Sequence, residues 1–352
     1  MKIAVVGAGI FGVTIALKIS HNHETFLFDA ANDILTGASR SNQLRLHRGY
    51  HYPRSPETTE TLLESITFFI NEYKAAVINE YDHYYCIANE KSLVTPAQYL
   101  NFCKKFNLEY EIIDNFEHVN HDKIGLTVKV KESLLDYQKI YALCHTRLSA
   151  SSVEQRLGQK FHKGMLKDYD LVINCTYSNI NELLDNHEKL EYQFEVCEKI
   201  AVKMPLPTRN ASIVVMDGPF MCVDPYGKTG LALLGNVEHA IHHTNVGTCV
   251  AIPDIIRSTI NKGILNSPPL SNFNKFVTAG RDYIPSIAEC EYVGSMFTVR
   301  AVLPNLDKTD ARPTIISRCG GNIINVFSGK IDTCVMAARV LIEKLNESKS
   351  IE

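Results

Sequence analysis

Three groups of residues in this 352-residue chain have the types and spacing to do chemistry. Gly7, Gly9 and Gly12 stand in the spacing G-x-G-x-x-G, and an acid, Asp29, follows them. Gly7 permits a tight turn, Gly9 lets the backbone approach a pyrophosphate, and Gly12 lets a helix pack closely on a strand. The helix N-terminus attracts the phosphates, and Asp29 can accept a hydrogen bond from a ribose hydroxyl. The second group is Arg45, His47, Arg48, Tyr50, His51, Tyr52 and Arg54. A histidine can take a proton near neutral pH, and arginines crowded beside tyrosines suit an anionic substrate. In an extended chain Arg45, His47, Gly49 and His51 share one face. The third group lies late in the chain: Arg300, whose fork matches a carboxylate, and Ser328-Gly329-Lys330-Ile331 ahead of a helical pattern.

These residues need particular elements to hold them. Ile3–Val6 reads as a buried strand, the glycines open an apolar-periodic helix, and Thr25–Phe28 is a second strand ending on Asp29. Strand, glycines, helix, strand and acid in that order predict a dinucleotide site. The uncharged run from Ile3 to Leu17 is too short to span a bilayer, and it carries three glycines. With no basic region beyond Lys2 and no small-residue cleavage site, it does not read as a secretory leader. Glu57–Glu80 reads as an amphipathic helix, and strands are expected near 83–87, 109–113 and 126–131. Residues 135–149 read as a helix and Asp170–Cys175 as a buried strand. From Glu191 to Ile252 short strands alternate with turn signals, as in an antiparallel sheet. Residues 253–279 look mostly helical. Strands at 297–303, 314–318 and 323–327 precede a helix over 331–346.

Nucleotide-binding elements thus stand at the start, near 140–180 and at the end. The expected fold class is α/β: a Rossmann-like FAD-binding domain with an inserted α+β substrate domain built on a mostly antiparallel sheet. The first comprises 1–80, 135–185 and 285–352, the second 81–134 and 186–284. This interruption favours FAD over NAD, because a simple NAD dehydrogenase more often keeps its nucleotide domain contiguous.

With 36 basic and 39 acidic side chains the net charge is −3, and nothing suggests a nucleic-acid or anionic-membrane partner. Ten cysteines are scattered without a CxxC pair or zinc spacing, so no metal is expected. Reduced thiols in a soluble cytoplasmic protein are the simplest reading, and no later apolar run suggests a membrane span. The oligomeric state is not readable.

The residues above give the chain a resemblance to the FAD-dependent oxidoreductases of the D-amino-acid oxidase and glycine oxidase type. Gly7, Gly9, Gly12 and Asp29 match the first motif, whose acid is more often Glu. Gly37-Ala38-Ser39-Arg40-Ser41-Asn42 matches the second loop, over the pyrophosphate and flavin. Ser41-Asn42 through His47-x-Gly49-x-x-Tyr52-Pro53-x-Ser55 resembles the L-2-hydroxyglutarate dehydrogenase branch. Val172–Thr176 is similar to a later strand that usually ends in Ala-Gly. Arg300 with Leu303-Pro304, and then Ser328-Gly329-Lys330, resemble the closing segments.

The resemblance implies non-covalent FAD held by Gly7, Gly9, Ile10, Phe11, Gly12, Asp29, Ser39, Arg40, Ser41, Asn42, Thr176, Ser328, Gly329, Lys330 and Ile331. Ser328 reads equally well as an ordinary helix cap. His47, Tyr52 and Arg300 become the expected catalytic set, with His47 kept neutral by Arg45 and Arg48. A structural histidine bonded to a backbone carbonyl is the competing reading of His47, and a surface ion pair that of Arg300. Arg48 and Arg54 also read as simple solvated charges. Arg281 with Tyr283 is a further candidate without a family match, against a surface ion pair. Cys319 could link flavin covalently in the manner of some relatives, but its surroundings do not match theirs, and an inert buried cysteine is the favoured reading. The expected activity is oxidation of a C–N or C–OH bond beside an acid group of a small anionic metabolite by hydride transfer to flavin. An NAD(P)-dependent dehydrogenase and a redox-neutral flavin protein are the alternatives.

Overall fold

A computed structural model describes residues 1–305 and 311–349. Residues 306–310 and 350–352, within the stretch counted as 285–352, lie outside the described residues. The strands are β1 Lys2–Val6, β2 Glu24–Asp29, β3 Arg45–Leu46, β4 Val77–Ile78, β5 Asp82–Ala88, β6 Tyr110–Ile112, β7 Ile124–Val130, β8 Ser133–Leu135 and β9 Glu154–Leu157. They continue as β10 Leu171–Asn174, β11 Tyr192–Lys203, β12 Ala211–Met216, β13 Met221–Pro225, β14 Ala232–Asn236, β15 Ile241–Gly247, β16 Glu291–Val302, β17 Ile315–Arg318 and β18 Ile323–Phe327. The helices are α1 Ile10–Ile19, α2 Pro56–Tyr73, α3 Pro96–Lys105, α4 Tyr137–Ser149, α5 Asp254–Arg257, α6 Phe273–Gly280 and α7 Cys334–Lys349.

The fold is mixed α/β, as the periodicities predict. A six-stranded sheet runs β17-β18-β10-β1-β2-β9. Its strands are parallel except at the β17 edge. β1 lies between β10 and β2 and is apolar after Lys2, as a strand covered on both faces must be. Helices α1, α4 and α7 close one face over a core that includes Ile3, Val5, Ile15, Ile140, Ile173 and Leu341. The second sheet has nine strands and is antiparallel except where β5 joins β12. β15 and β14 pair with successive stretches of one edge of β11, and β16 follows its other edge. A small sheet, β3-β8-β4, makes a third unit.

Local chemistry fixes the element ends. Ser55 caps α2 by accepting from the Thr58 N–H, with Pro56 at the first helical position. Asp136 does the same for α4 through Lys139. The helix expected to reach Glu80 stops at Tyr73, because Lys74–Ala76 tighten into a 3-10 turn and Val77–Ile78 are drawn into pairing with β8. Helix α3 was not expected. It carries a complete capping box, Thr95 and Gln98 bonding reciprocally, followed by Pro96. The largely helical stretch expected over 253–279 holds only the short α5 and α6. Pro253, Gly263 and the Pro268-Pro269 pair break it, and Ile260 and Leu265 bridge instead to Phe297 and Ser295. β16 begins at Glu291 and pairs with β11 through Val302, so this part of the stretch counted with the first domain lies in the second sheet.

Gly12 shows how tightly the first turn is built. A Cβ there would overlap the carbonyl oxygen of Gly7, and neither backbone can move without disturbing β1. Gly12→Ala should therefore cost about 1–3 kcal/mol of unfolding free energy in denaturant titration. Gly247→Ala, at a site where the nearest atom is 4.0 Å away, should change it by less than about 0.5 kcal/mol. Equal effects at both sites would contradict this reading of the turn.

Candidate functional site

One cavity of about 1310 Å³ joins all three residue groups. It begins at the C-terminal end of β1 and β2, where Gly7, Gly9 and Asp29 line it. It passes Ser39, Ser41 and Asn42, and ends between the face of the second sheet and the 328–331 segment. Ligand crevices at the carboxyl ends of parallel strands follow from the helix dipoles and open loops found there.

At the first end, Gly9 caps α1 with no side chain of its own, and Ser39 Oγ accepts from the Ile10 N–H at 3.0 Å. Ile10 and Phe11 are buried and line the wall. Asp29 accepts from the backbone N–H groups of Ala8 at 2.7 Å and Ala31 at 2.8 Å. These bonds orient the carboxylate while leaving lone pairs for a hydroxyl donor. Asn42 shapes its loop by donating to Ala38 and Ser39 carbonyls and accepting from the Leu44 N–H. Thr176 lines the cavity and donates its hydroxyl to Asn174 Oδ1 at 2.7 Å. Arg40 departs from its expected place. It is not part of the cavity wall, and its guanidinium sits 5.6 Å from the centre of the Tyr137 ring, over Gly263. Gly12 likewise serves packing rather than the wall.

The other end is a concentration of buried titratable groups. Arg45 in β3 is 3% exposed. Its guanidinium forms ion pairs with Asp224 and, at 3.3 Å, Glu132, and it donates to Ser212 at 3.0 Å and Tyr85 at 3.2 Å. Burial works against its charge, but Asp224, Tyr85 and Glu132 more than restore it, so Arg45 stays protonated. The His47 ring lies 5.2 Å from that of His51 and 5.4 Å from that of Tyr52. The Lys330 ammonium lies 4.6 Å from the centre of the Tyr52 ring, and Asp332 accepts from the His47 N–H. Burial leads in pushing His47 well below the ordinary histidine range, and Lys330 and Arg45 push it further. The neutral state expected of His47 is therefore the favoured one, with Lys330 in the part expected of Arg48. Burial lowers Lys330 and raises Asp332, and each charge acts against that effect in the other. His47 Nδ1, His51 Nδ1, Tyr52 Oη, Ser41 Oγ and Gln43 Oε1 are buried atoms in this wall without a hydrogen-bond partner.

Arg300 lines the cavity, but Glu195 on β11 holds its Nε at 2.6 Å and also its Nη2. Ser328, Gly329, Lys330 and Ile331 all line it. The Gly329 N–H donates to Thr314, and a Cβ at Gly329 would strike the Arg312–Pro313 backbone. Arg54 pairs with Asp217 in the wall. Arg281 is exposed at the end of α6, and neither it, Tyr283 nor Cys319 lines the cavity. The acids that hold the arginines, Asp224, Glu132, Asp217 and Glu195, were not singled out from the sequence. Asp217 with Gly218 carries only a turn signal, and the others carry no spacing signal. Among the described residues no cluster of His, Cys, Asp and Glu could hold a metal ion, and no helix is long and apolar enough to cross a membrane.

Residues 2–164 match the family described as FAD dependent oxidoreductase. A protein named FAD-dependent monooxygenase kojA, from Aspergillus flavus, is 30% identical over 99 residues, which span 28% of this chain and only 23% of that protein. FAD-dependent monooxygenase FPY4 from Fusarium mangiferae is 23% identical over 362 residues, covering 98% of this chain and 91% of that one. Glycine oxidase from Geobacillus kaustophilus has the same fold, with a TM-score of 0.71 and 12% identity over 99% of this chain and 94% of that one.

The residues present fit an FAD. The cavity offers a helix N-terminus and an acid for the nucleotide part, and Gly9 leaves the wall open. Ser41 Oγ is a buried hydroxyl that needs a partner. A Cβ on Gly9 would meet only Ser39 Oγ, at 3.3 Å. Gly9→Val should thus fold with little loss of stability but purify without flavin colour. A yellow, fully loaded variant would contradict the assignment of that end.

Buried histidines make stability pH-dependent. Burial, helped by Arg45, lowers His83 to about 4, and His47 and His51 are lowered too. Below about pH 6.5 the unfolded chain takes up protons that the native state refuses, so stability falls as pH drops and is fully present above that value. Each such histidine should cost about 1.4 kcal/mol by pH 5.5. Urea unfolding at pH 7.5 and 5.5 should show His83→Leu losing one histidine's share of the drop. An unchanged drop in that variant would refute the cause.

Proposed function

From the premise that this chain is an FAD-dependent oxidoreductase of the D-amino-acid oxidase type, we propose that it oxidises a C–N or C–OH bond next to an acid group of a small metabolite. The observation that supports this most is the continuity of the cavity. It connects the nucleotide end directly to a cluster of His47, His51, Tyr52 and Lys330, in which His47 and Tyr52 are buried. A flavin bound there supplies the hydride acceptor. FAD is assigned to 1–80, 135–185 and the last part of the chain, and the substrate to the face of the nine-stranded sheet, with β16 counted in that sheet.

The chain's own residues do the rest. His47 is neutral because it is buried between cations, and its Nδ1 has no hydrogen-bond partner. It takes the proton leaving the substrate nitrogen or oxygen as hydride leaves the carbon, so that a C=N or C=O bond remains. The imidazolium so formed is balanced by Glu132, whose Oε1 stands 3.8 Å from Nδ1. Tyr52 closes the space beside His47 and offers a hydroxyl without a partner. Burial of His47 and Tyr52 strengthens each of these interactions. Arg300 faces the cavity, but Glu195 already occupies its fork.

The likeness along nearly the whole chain to a protein named monooxygenase supports a second reading, oxygenation of the substrate. Isotopically labelled dioxygen decides between them, since dehydrogenation leaves no label in the organic product. The direct test is anaerobic mixing of the FAD-loaded protein with 2-amino acids, N-substituted glycines, 2-hydroxy acids and sugar acids. One class should bleach the flavin, and with it His47→Ala should keep its FAD but reduce at least about 10²-fold more slowly. No bleaching by any acid would overturn the proposed reaction, and an unchanged rate in the variant would remove His47 from it.

A further inference from the structure

Among the described residues, a partly exposed lysine of the cavity wall, Lys199, is left without an ion pair. Three arginines of the wall are tied to carboxylates: Arg45 to Asp224 and Glu132, Arg54 to Asp217, and Arg300 to Glu195. Lys160 pairs with Glu182, and Lys330 lies beside Asp332. Lys262 is exposed and solvated. Lys199 lines the cavity, is only partly exposed, and among the described residues makes no ion pair or hydrogen bond.

Its position follows from strand register. On β11 the alternating residues Glu195, Cys197 and Lys199 all face the cavity. Ile200 is level with Leu234 and Lys199 is its neighbour, which puts Lys199 level with Gly235 of β14. Across the next strand pair Gly235 faces Cys222. The charge of Lys199 acts on the thiols of both Cys197 and Cys222, the residues on either side of it. Gly235 admits no side chain, because a Cβ there would lie 2.6 Å from Cys222 Sγ and 3.2 Å from Gln43 Oε1, so both atoms sit directly over it.

Gln43 is the second observation. Its Nε2 donates to the Leu233 carbonyl at 3.1 Å, which turns Oε1 toward the cavity. That oxygen is buried and has no partner. A buried amide oxygen without a donor costs about 1–3 kcal/mol, which a ligand donor would relieve. An unclaimed cation and an unclaimed acceptor thus flank one glycine floor.

We propose that Lys199 and Gln43 form the substrate-recognition pair, Lys199 taking the acid group and Gln43 Oε1 accepting from an N–H or O–H donor on the neighbouring atom. The substrate class is then a 2-amino or 2-hydroxy acid, and the anion is anchored by a lysine of β11 rather than by Arg300. This rests on the proposed oxidation next to an acid group and narrows it.

Two ring acids of nearly equal shape test it on the FAD-loaded protein, read by the shift in flavin absorbance on titration. Pyrrole-2-carboxylate carries an N–H donor beside its acid, and furan-2-carboxylate carries an oxygen there. Furan-2-carboxamide lacks the charge. The wild type should bind the pyrrole acid several-fold more tightly than the furan acid, and the amide least. Lys199→Met should weaken both acids by roughly 10-fold or more and keep their order, the usual worth of a charge-assisted bond. Lys199→Arg should restore most of that binding. Gln43→Leu should abolish the preference for the pyrrole acid. Flavin content of each variant, measured first, confirms that it is folded and loaded. Full acid binding in Lys199→Met, or loss of it in Arg300→Lys alone, would overturn the inference and leave the proposed reaction standing. Failure of the wild type to bind either acid would overturn both.

Discussion

A buried positive charge governs the substrate end of this protein. Arg45 is fixed by two carboxylates that are themselves fully buried, and leaving either side alone in that interior would cost about 3–5 kcal/mol. The cluster also joins three parts of the chain: β3 supplies the arginine, β12 and β13 supply Ser212 and Asp224, and Glu132 stands between β7 and β8. Satisfying the charge therefore ties these segments together at the cavity. The small β3-β8-β4 sheet exists at the place where this linkage is made.

Everything catalytic in the account follows from that charge and from burial. Burial first, and then the nearby charges of Arg45 and Lys330, lower His47 and His51 and favour their neutral forms. A neutral imidazole can receive a proton, whereas one already protonated cannot. The same charges suit an anionic substrate, but the arginines that would bind it by type are already paired. Anion recognition therefore passes to a group the acids have left alone. The nucleotide end is built on different physics: close backbone packing at Gly7 and Gly12, an open position at Gly9, and one oriented carboxylate.

What the sequence made legible divides along these lines. Gly7, Gly9, Gly12 and Asp29 could be read because the constraint is local, a turn and a helix start within one short segment. The Arg45–Arg54 cluster was visible by residue type, although only Arg45–Leu46 is extended. His47 and His51 share a wall because turns bring them there, and the strand alternation expected of them does not extend that far. The acids were illegible because ion pairing is a long-range matter. Asp224 meets Arg45 from far along the chain, and Glu195 meets Arg300 only once β11 and β16 pair. Arg40 was misplaced for the same reason: its partners, Tyr137 and Gly263, lie in distant segments. Helix α3 had a readable signal in Thr95, Pro96 and Gln98, and its short length hid the periodicity.

The central claim is that burial between cations keeps His47 a neutral proton acceptor, and its charge state can be observed. Nitrogen chemical shifts of histidine-labelled, FAD-loaded protein, with the His47 signals assigned through a His47→Gln variant, report that state directly. The account predicts a neutral ring from pH 7.5 down to about pH 5.5, below the ordinary histidine midpoint. An imidazolium at His47 already present at pH 7 would contradict it.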